Sequence, residues 1–409
     1  MERAYEKFLR YVKIDTESDP NSGTLPSSIK QFDLAKVLVS ELLEIGVSDA
    51  HVDDNCYVMA SIKGNVENAP SIGLIAHMDT SPDFSGKDVN SQIIKNYDGK
   101  DILLNKDENI VMKVSDFPDL ELFTGKTLIT TDGTTLLGAD NKAGIAEIMV
   151  IAETLINNPD IKHGDVKIAF TPDEEIGSGA DQFDVEKFGA DFAYTLDGAL
   201  LGEIEYENFN AASANIAVNG VNIHPGSAKD KMKNSVLIAM ELNSMLPVAQ
   251  TPSHTEEFEG FFHLNNMNGT VEKTDMLYII RDHDMNKFTK KKELITKACT
   301  FINDKYGQAT VTLDLEDSYF NMKEKIVPVI RIVENAIEAM ITVGIKHKLK
   351  AIRGGTDGAR LSFMGLPTPN LFTGGFNYHG KFEAICIEDM DKAVDMTIEI
   401  LKRYGCVKK

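Results

Sequence analysis

The stretch Ser71-Ile72-Gly73-Leu74-Ile75-Ala76 limits the folds open to this 409-residue chain more than any other. It is short, nearly continuous and apolar, the pattern of a strand buried on both faces, which parallel sheets covered by helices require. Val166 to Phe170 and Phe192 to Leu196 repeat the pattern. Between such runs lie segments of helical period. Ile29 to Ile45 spaces Phe32, Leu34, Ala35, Leu38, Leu42, Leu43 and Ile45 along one face, and its flanking Ser27-Ser28 and Gly46 predict a cap at each end. A second helix is expected from about Ala143 to Ile156. Alternating helix and strand predicts an α/β fold, a mostly parallel mixed sheet flanked by helices. Asn96 to Leu137 fits this poorly; polar and punctuated by Gly and Pro, it reads as an excursion of hairpins.

From about Asn210 the order changes. Strands are expected at Ala214 to Val221, Gly260 to Met267, Asp275 to Asp282 and Ala309 to Glu316, with Asn268-Gly269 marking a turn. Helices are expected at Asn234 to Leu246 and Asn286 to Tyr306. The series β-α-β-β-α-β is the ferredoxin-like unit. Alternation then resumes, with a helix at Val327 to Ala339, a strand at Thr368 to Phe372 and a closing helix at Met390 to Tyr404. The chain therefore divides into a first part of a catalytic domain (1–209), an inserted α+β domain (210–318) and the second part of the catalytic domain (319–409). Lys290-Lys291-Lys292 reads as a solvated helix face.

A net charge of −21 repels phosphate backbones, so nucleic acid and anionic membrane surfaces are excluded as partners. The four cysteines form no C-x-x-C pair, and the N-terminus lacks an apolar signal segment. No apolar run reaches the ~18 residues of a membrane span. A cytoplasmic protein is expected.

Chemistry-bearing residues collect where the strands end. His77-Met78-Asp79 follows the first buried strand, at the edge where open parallel sheets bind ligands. An imidazole there can face a metal while a carboxylate accepts its other N–H; a strand-end His and a turn-forming Asp are the bland alternative. Asp140, in Gly138-Ala139-Asp140-Asn141, can cap a helix or bridge two cations. Asp173-Glu174-Glu175 follows the strand Val166 to Phe170, and three adjacent acids repel unless a cation or solvent separates them. Asp197 closes the next strand, and His379 lies in the glycine-rich Gly374-Gly375-Phe376-Asn377-Tyr378-His379-Gly380. Two imidazoles and three carboxylates, with two further carboxylates held back, exceed one tetrahedral site and suit two metals sharing a carboxylate.

These motifs, in this order, resemble those of the di-zinc aminoacylase and carboxypeptidase family of metallopeptidases over the whole chain. The resemblance implies two Zn²⁺ per chain, with His77 and Asp197 on one, Glu175 and His379 on the other, and Asp140 bridging. It implies that Asp79 orients the His77 ring and that Glu174 is the general base. Arg353-Gly354-Gly355-Thr356-Asp357-Gly358 resembles the family's substrate loop; without a Gly-Lys-Ser/Thr ending it is not a phosphate loop. His224-Pro225-Gly226 resembles its lid histidine, so the insert is expected to be a lid and dimerisation-type domain and a homodimer is among the expected partners. Arg281 and Arg353 are rival receptors for a peptide carboxylate. The implied activity is metal-dependent hydrolysis of the N-terminal peptide bond of tripeptides. A dipeptidase, a carboxypeptidase and an acyl-amino-acid deacylase on the same scaffold are the alternatives.

Overall fold

A computed structural model describes residues 2–406. The chain divides into two compact units. One runs through Tyr206 and takes up Glu324–Lys350 and the chain from Thr356 onward; the other is Glu207–Lys323 with Ala351–Gly355.

The first unit is built on an eight-stranded sheet, in the order His51–Val52, Val58–Ile62, Val166–Thr171, Ile72–His77, Phe192–Gly198, Asn370–Phe372, Glu203–Asn208 and Lys348–Ile352. The four strands from Val166–Thr171 to Asn370–Phe372 are mutually parallel, and antiparallel pairs flank them. Every residue of Ile72–His77 is buried, as its continuous apolar run requires. Helix Ala139–Asn157 packs on this centre with nearly all its side chains buried. Gly144 permits that approach: a Cβ there would lie 1.9 Å from the Leu196 carbonyl oxygen. A further cluster joins Ile75, Ala169 and Ala193 of the sheet to Phe183, Phe188 and Leu361.

The excursion, Asn96 to Leu137, gives one strand to a separate four-stranded sheet and forms a hairpin. Ser91–Ile94 and Leu128–Thr131 pair with each other, and Leu128–Thr131 pairs with Ala384–Cys386, which in turn pairs with Gly375–Phe376. Ile102–Asn105 and Ile110–Met112 form a separate hairpin. The sheet partners of Leu128–Thr131 from 375–386 are distant in sequence and too short to read as strands.

The second unit orders its strands Phe261–Gly269, Lys273–Asp282, Asn210–Asn219 and Val311–Tyr319, all antiparallel. Helices Ser235–Ser244 and Met285–Tyr306 pack on it through Ile238, Leu242, Phe288, Ile295 and Ile302. Asn234 and Asp284 cap them, accepting the N–H of Val236 at 3.0 Å and of Lys287 at 2.8 Å. This is the ferredoxin-like strand order.

Several local expectations are corrected. Helix Gln31–Glu44 is preceded by Lys30, which supplies no side-chain cap; Ser27 lies three residues further back and its hydroxyl donates to Asp173. Asn268-Gly269 continues its strand, Gly269 opposite Thr274, and the chain turns at 270–273. The helix expected from Val327 is broken by Pro328, which lacks an N–H, and restarts as Arg331–Thr342. The lysine run is no simple solvated face: Lys291 is buried against Gln250 and Asp282, and Lys292 pairs with Asp317 at 2.6 Å.

Candidate metal centre

Three of the four parallel strands deliver site residues from their carboxyl ends. His77 ends one, Asp197 lies one residue before the end of another, and the third leads through Pro172 to Glu174 and Glu175. The fourth, Asn370–Phe372, leads into the loop carrying His379. Asp140 departs from the expected strand-end placement. It stands at the opening of helix Ala139–Asn157, after a strand of the smaller sheet, in a non-helical conformation and behind the left-handed Gly138. Its side chain caps no helix; it lies between two imidazoles.

His77 Nε2 is 2.9 Å from Asp140 Oδ1 and 3.4 Å from Asp197 Oδ1. His379 Nε2 is 3.2 Å from Asp140 Oδ2 and 3.0 Å from Glu175 Oε2. Two groups result, His77–Asp140–Asp197 and Asp140–Glu175–His379, each with its ligand atoms within 4.8 Å of one another. Each offers one imidazole nitrogen and two carboxylate oxygens, and Asp140 belongs to both.

Asp79 is fully buried. Its Oδ1 lies 3.2 Å from His77 Nδ1, and its two oxygens accept the N–H groups of Glu174 and Glu175 at 3.0 and 3.1 Å. One carboxylate thus lies beside the imidazole, whose Nδ1 also meets the Asp79 main-chain carbonyl at 3.1 Å, and fixes the turn that presents both glutamates. Of the three adjacent acids Asp173 turns away, leaving Glu174 and Glu175 as neighbours. Its backbone adopts φ 53°, which Asp tolerates better than most residues. Its buried carboxylate accepts from the Ser27 N–H and hydroxyl and from Gln31 Nε2.

The electrostatics are those of crowded carboxylates in low dielectric. Burial lifts the Glu174 carboxyl well above its usual range, with Asp197 and Asp357 adding to the effect against His77. Burial, reinforced by Asp140, pushes Glu175 up to about 8, and burial pushes Asp197 up to about 6. Asp140 goes the other way: the two imidazoles outweigh its burial. Hydrogen bonds to Asp140 and Glu175 raise His379 to about 11. Protons held on such a cluster are the ones a cation displaces when it binds. The buried Glu175 Oε1 has no hydrogen-bond partner among the described residues, which fits an atom kept for a cation. No cysteine approaches either group; all four are free.

The substrate-side candidates lie on the second unit. His224 is exposed in the turn at Pro225–Ser227, its Nδ1 accepting the Gly226 N–H at 3.2 Å. Arg281 is half-buried with its guanidinium 4.8 Å from the Tyr319 ring centre, and it forms no ion pair with Asp282 or Asp284. Those acids are engaged with Lys291 and the Lys287 N–H. Arg353 donates to the carbonyls of Glu257 and Glu259 and to Thr255, so its fork is already occupied. Reading the sequence missed Asp83, 3.5 Å from His379 Nδ1, and Asp357, which accepts the Thr171 hydroxyl at 2.8 Å. Only its place in the glycine-rich substrate loop pointed to Asp357.

Residues 206–310 match the model of a peptidase dimerisation domain. Over 99% of its length the chain is 60% identical to peptidase T of Alkaliphilus oremlandii, covering all of that protein. It is 54% identical to peptidase T of Bacillus subtilis, with 98% of each chain covered. The fold matches a crystal structure of an aminopeptidase from Bacillus cereus with a TM-score of 0.78, at 21% identity and 98% coverage of both chains. Conserved over its full length at such identity, the chain belongs to the peptidase T family of metallopeptidases.

Proposed function

We propose that the protein is a metal-dependent tripeptide aminopeptidase, hydrolysing the N-terminal peptide bond and releasing the N-terminal amino acid. The observation that carries the reading is the sharing of Asp140 between two N,O,O groups, with Glu174 beside Glu175. The family relationship supports the substrate class. In this reading His77 and Asp197 would hold one zinc ion and Glu175 and His379 a second, with Asp140 available to both. Bound zinc ions supply a water of near-neutral pKa and polarise the peptide carbonyl. Glu174, presented beside Glu175 by the turn that Asp79 fixes, would act as the carboxylate, taking a proton from the attacking water and returning it to the leaving amine. Asp79 holds the His77 ring and the Glu174–Glu175 backbone in one arrangement, so base and ligands keep a fixed spacing.

On the second unit we assign the peptide's terminal carboxylate to Arg281, a half-buried guanidinium without a carboxylate partner among the described residues. Arg353 yields that role because backbone carbonyls occupy its fork. His224, whose Nε2 makes no hydrogen bond among the described residues, is the candidate donor to the developing oxyanion. The dimerisation-domain match supports a homodimer. No helix among the described residues is long and apolar enough to cross a membrane, and we place the enzyme in the cytoplasm.

The test is amino acid release from free, N-acetylated and C-amidated di-, tri- and tetrapeptides, with and without a chelator. Release of the N-terminal residue from free tripeptides, lost on chelation, is expected. Preferential cleavage of N-acetylated substrates, or release from the C-terminus, would replace this reading with the deacylase or carboxypeptidase alternative.

A further inference from the structure

Glu383 lies four residues beyond His379 and is buried, with 1% of its surface exposed. Its carboxylate accepts three backbone N–H groups: Leu137 at 2.7 Å and Gly138 at 2.9 Å on Oε2, and Asp140 at 3.0 Å on Oε1. The loop 377–383 that carries His379 closes the pair Gly375–Phe376 and Ala384–Cys386, and Glu383 stands at its base, next to Ala384. Ala384–Cys386 also pairs with Leu128–Thr131, the strand that leads towards Asp140. Both segments that meet at Asp140 and His379 are therefore tied to one sheet, and Glu383 closes the gap between them. A carboxylate seated on several backbone N–H groups is a strong directional anchor, because each bond is charge-assisted and shielded from water.

We propose that Glu383 is a positioning residue: by clamping the amides of Leu137, Gly138 and Asp140 from the base of the His379 loop, it sets the spacing between the shared carboxylate and His379. The proposal rests on the two-metal reading and deepens it. Glu383 reaches neither group directly; it acts through the Asp140 backbone and through its own loop. Two of the three members of the Asp140–Glu175–His379 group depend on it, against one of the three in the other group.

The oxygen split gives a sharp test. In Glu383→Gln the amide keeps one acceptor oxygen, which can serve Leu137 and Gly138, while its NH2 faces the Asp140 N–H donor against donor. The variant retains volume and most of the cradle. Expected are a wild-type fold by near-UV circular dichroism and amide exchange at Asp140 at least about tenfold faster in metal-free protein. Affinity for the more weakly held Co²⁺ should fall about 10- to 100-fold, with an altered Co²⁺ visible spectrum. Glu383→Asp, which shortens the reach but keeps both acceptors, should recover part of the affinity. Unchanged exchange at Asp140 together with wild-type Co²⁺ affinities and spectrum would overturn the proposal. If Glu383→Gln does not fold, Glu383→Asp decides by the same two readings. Wild-type protein that bound no Co²⁺ would sink the two-metal reading instead, and the exchange measurement would still judge the clamp.

Discussion

His77 and His379 each direct Nε2 at a different oxygen of Asp140, at 2.9 and 3.2 Å, yet the His77 side chain is 2% exposed and that of His379 is 43% exposed. His77 sits on a central strand paired on both sides, with its Nδ1 beside a fully buried carboxylate. His379 sits on a loop at φ 64°, a conformation costing a non-glycine residue ~1 kcal/mol or more, with its Nδ1 3.5 Å from an exposed Asp83. The same ligand chemistry thus rests on a sheet in one group and on a loop in the other. A sheet pre-organises its ligands and excludes water; a loop must be held in place and exchanges with solvent. The difference predicts unequal metal retention. Graded chelation should first abolish activity while about one ion per chain remains, the His77 group being the last to empty. Simultaneous loss of both ions would break the comparison.

Asp140 is where the groups meet, so Asp140→Ala should damage both. We expect metal content below about one ion per chain and turnover at least ~1000-fold down, the scale of removing metal-assisted charge stabilisation. A variant retaining two ions would show that the groups do not share this carboxylate. Glu174→Gln separates chemistry from binding. Metal content should persist while turnover falls about 100-fold or more, whereas Glu175→Gln should empty the exposed group preferentially. Equal metal loss in the two variants would reverse the assigned roles of the pair.

How much of this was legible in the sequence follows the same divide. His77, Asp197 and the Glu174–Glu175 turn end or follow strands whose apolar runs announce themselves within six residues, so the sheet edge and the polar residues gathered there could be read. The helix opening at Asp140 left cap and bridge open, because local pattern does not say where a carboxylate points. What escaped depends on partners far along the chain. Asp173 accepts hydrogen bonds from Ser27 and Gln31, more than 140 residues earlier. Arg353 is absorbed by carbonyls at 255–259, and Glu383 reaches back to 137–140. Periodicity reports burial and secondary structure; it carries no information about which polar group meets which across the fold.

The carboxylates behind the two imidazoles give the finest comparison. Asp79 has no exposed side-chain surface, lies 3.2 Å from His77 Nδ1 and accepts two backbone N–H groups, so its removal leaves those buried donors unpaired and the ring with the residue-79 main-chain carbonyl alone. Asp79→Ala should lower activity and metal affinity about 10- to 100-fold without abolishing the fold. Asp83 faces His379 from a side chain that is 71% exposed, where water screens the interaction and no second bond among the described residues fixes the carboxylate. Asp83→Ala should therefore change metal affinity less than about threefold, and that change should vanish in high salt because a solvent-exposed pair is screened there. Isothermal titration of both variants at two ionic strengths reads the contrast directly. A loss in Asp83→Ala as large as that in Asp79→Ala, persisting in salt, would mean that the loop closes over Asp83 when the ion binds. The exposed group would then be as thoroughly built as the buried one, only assembled later.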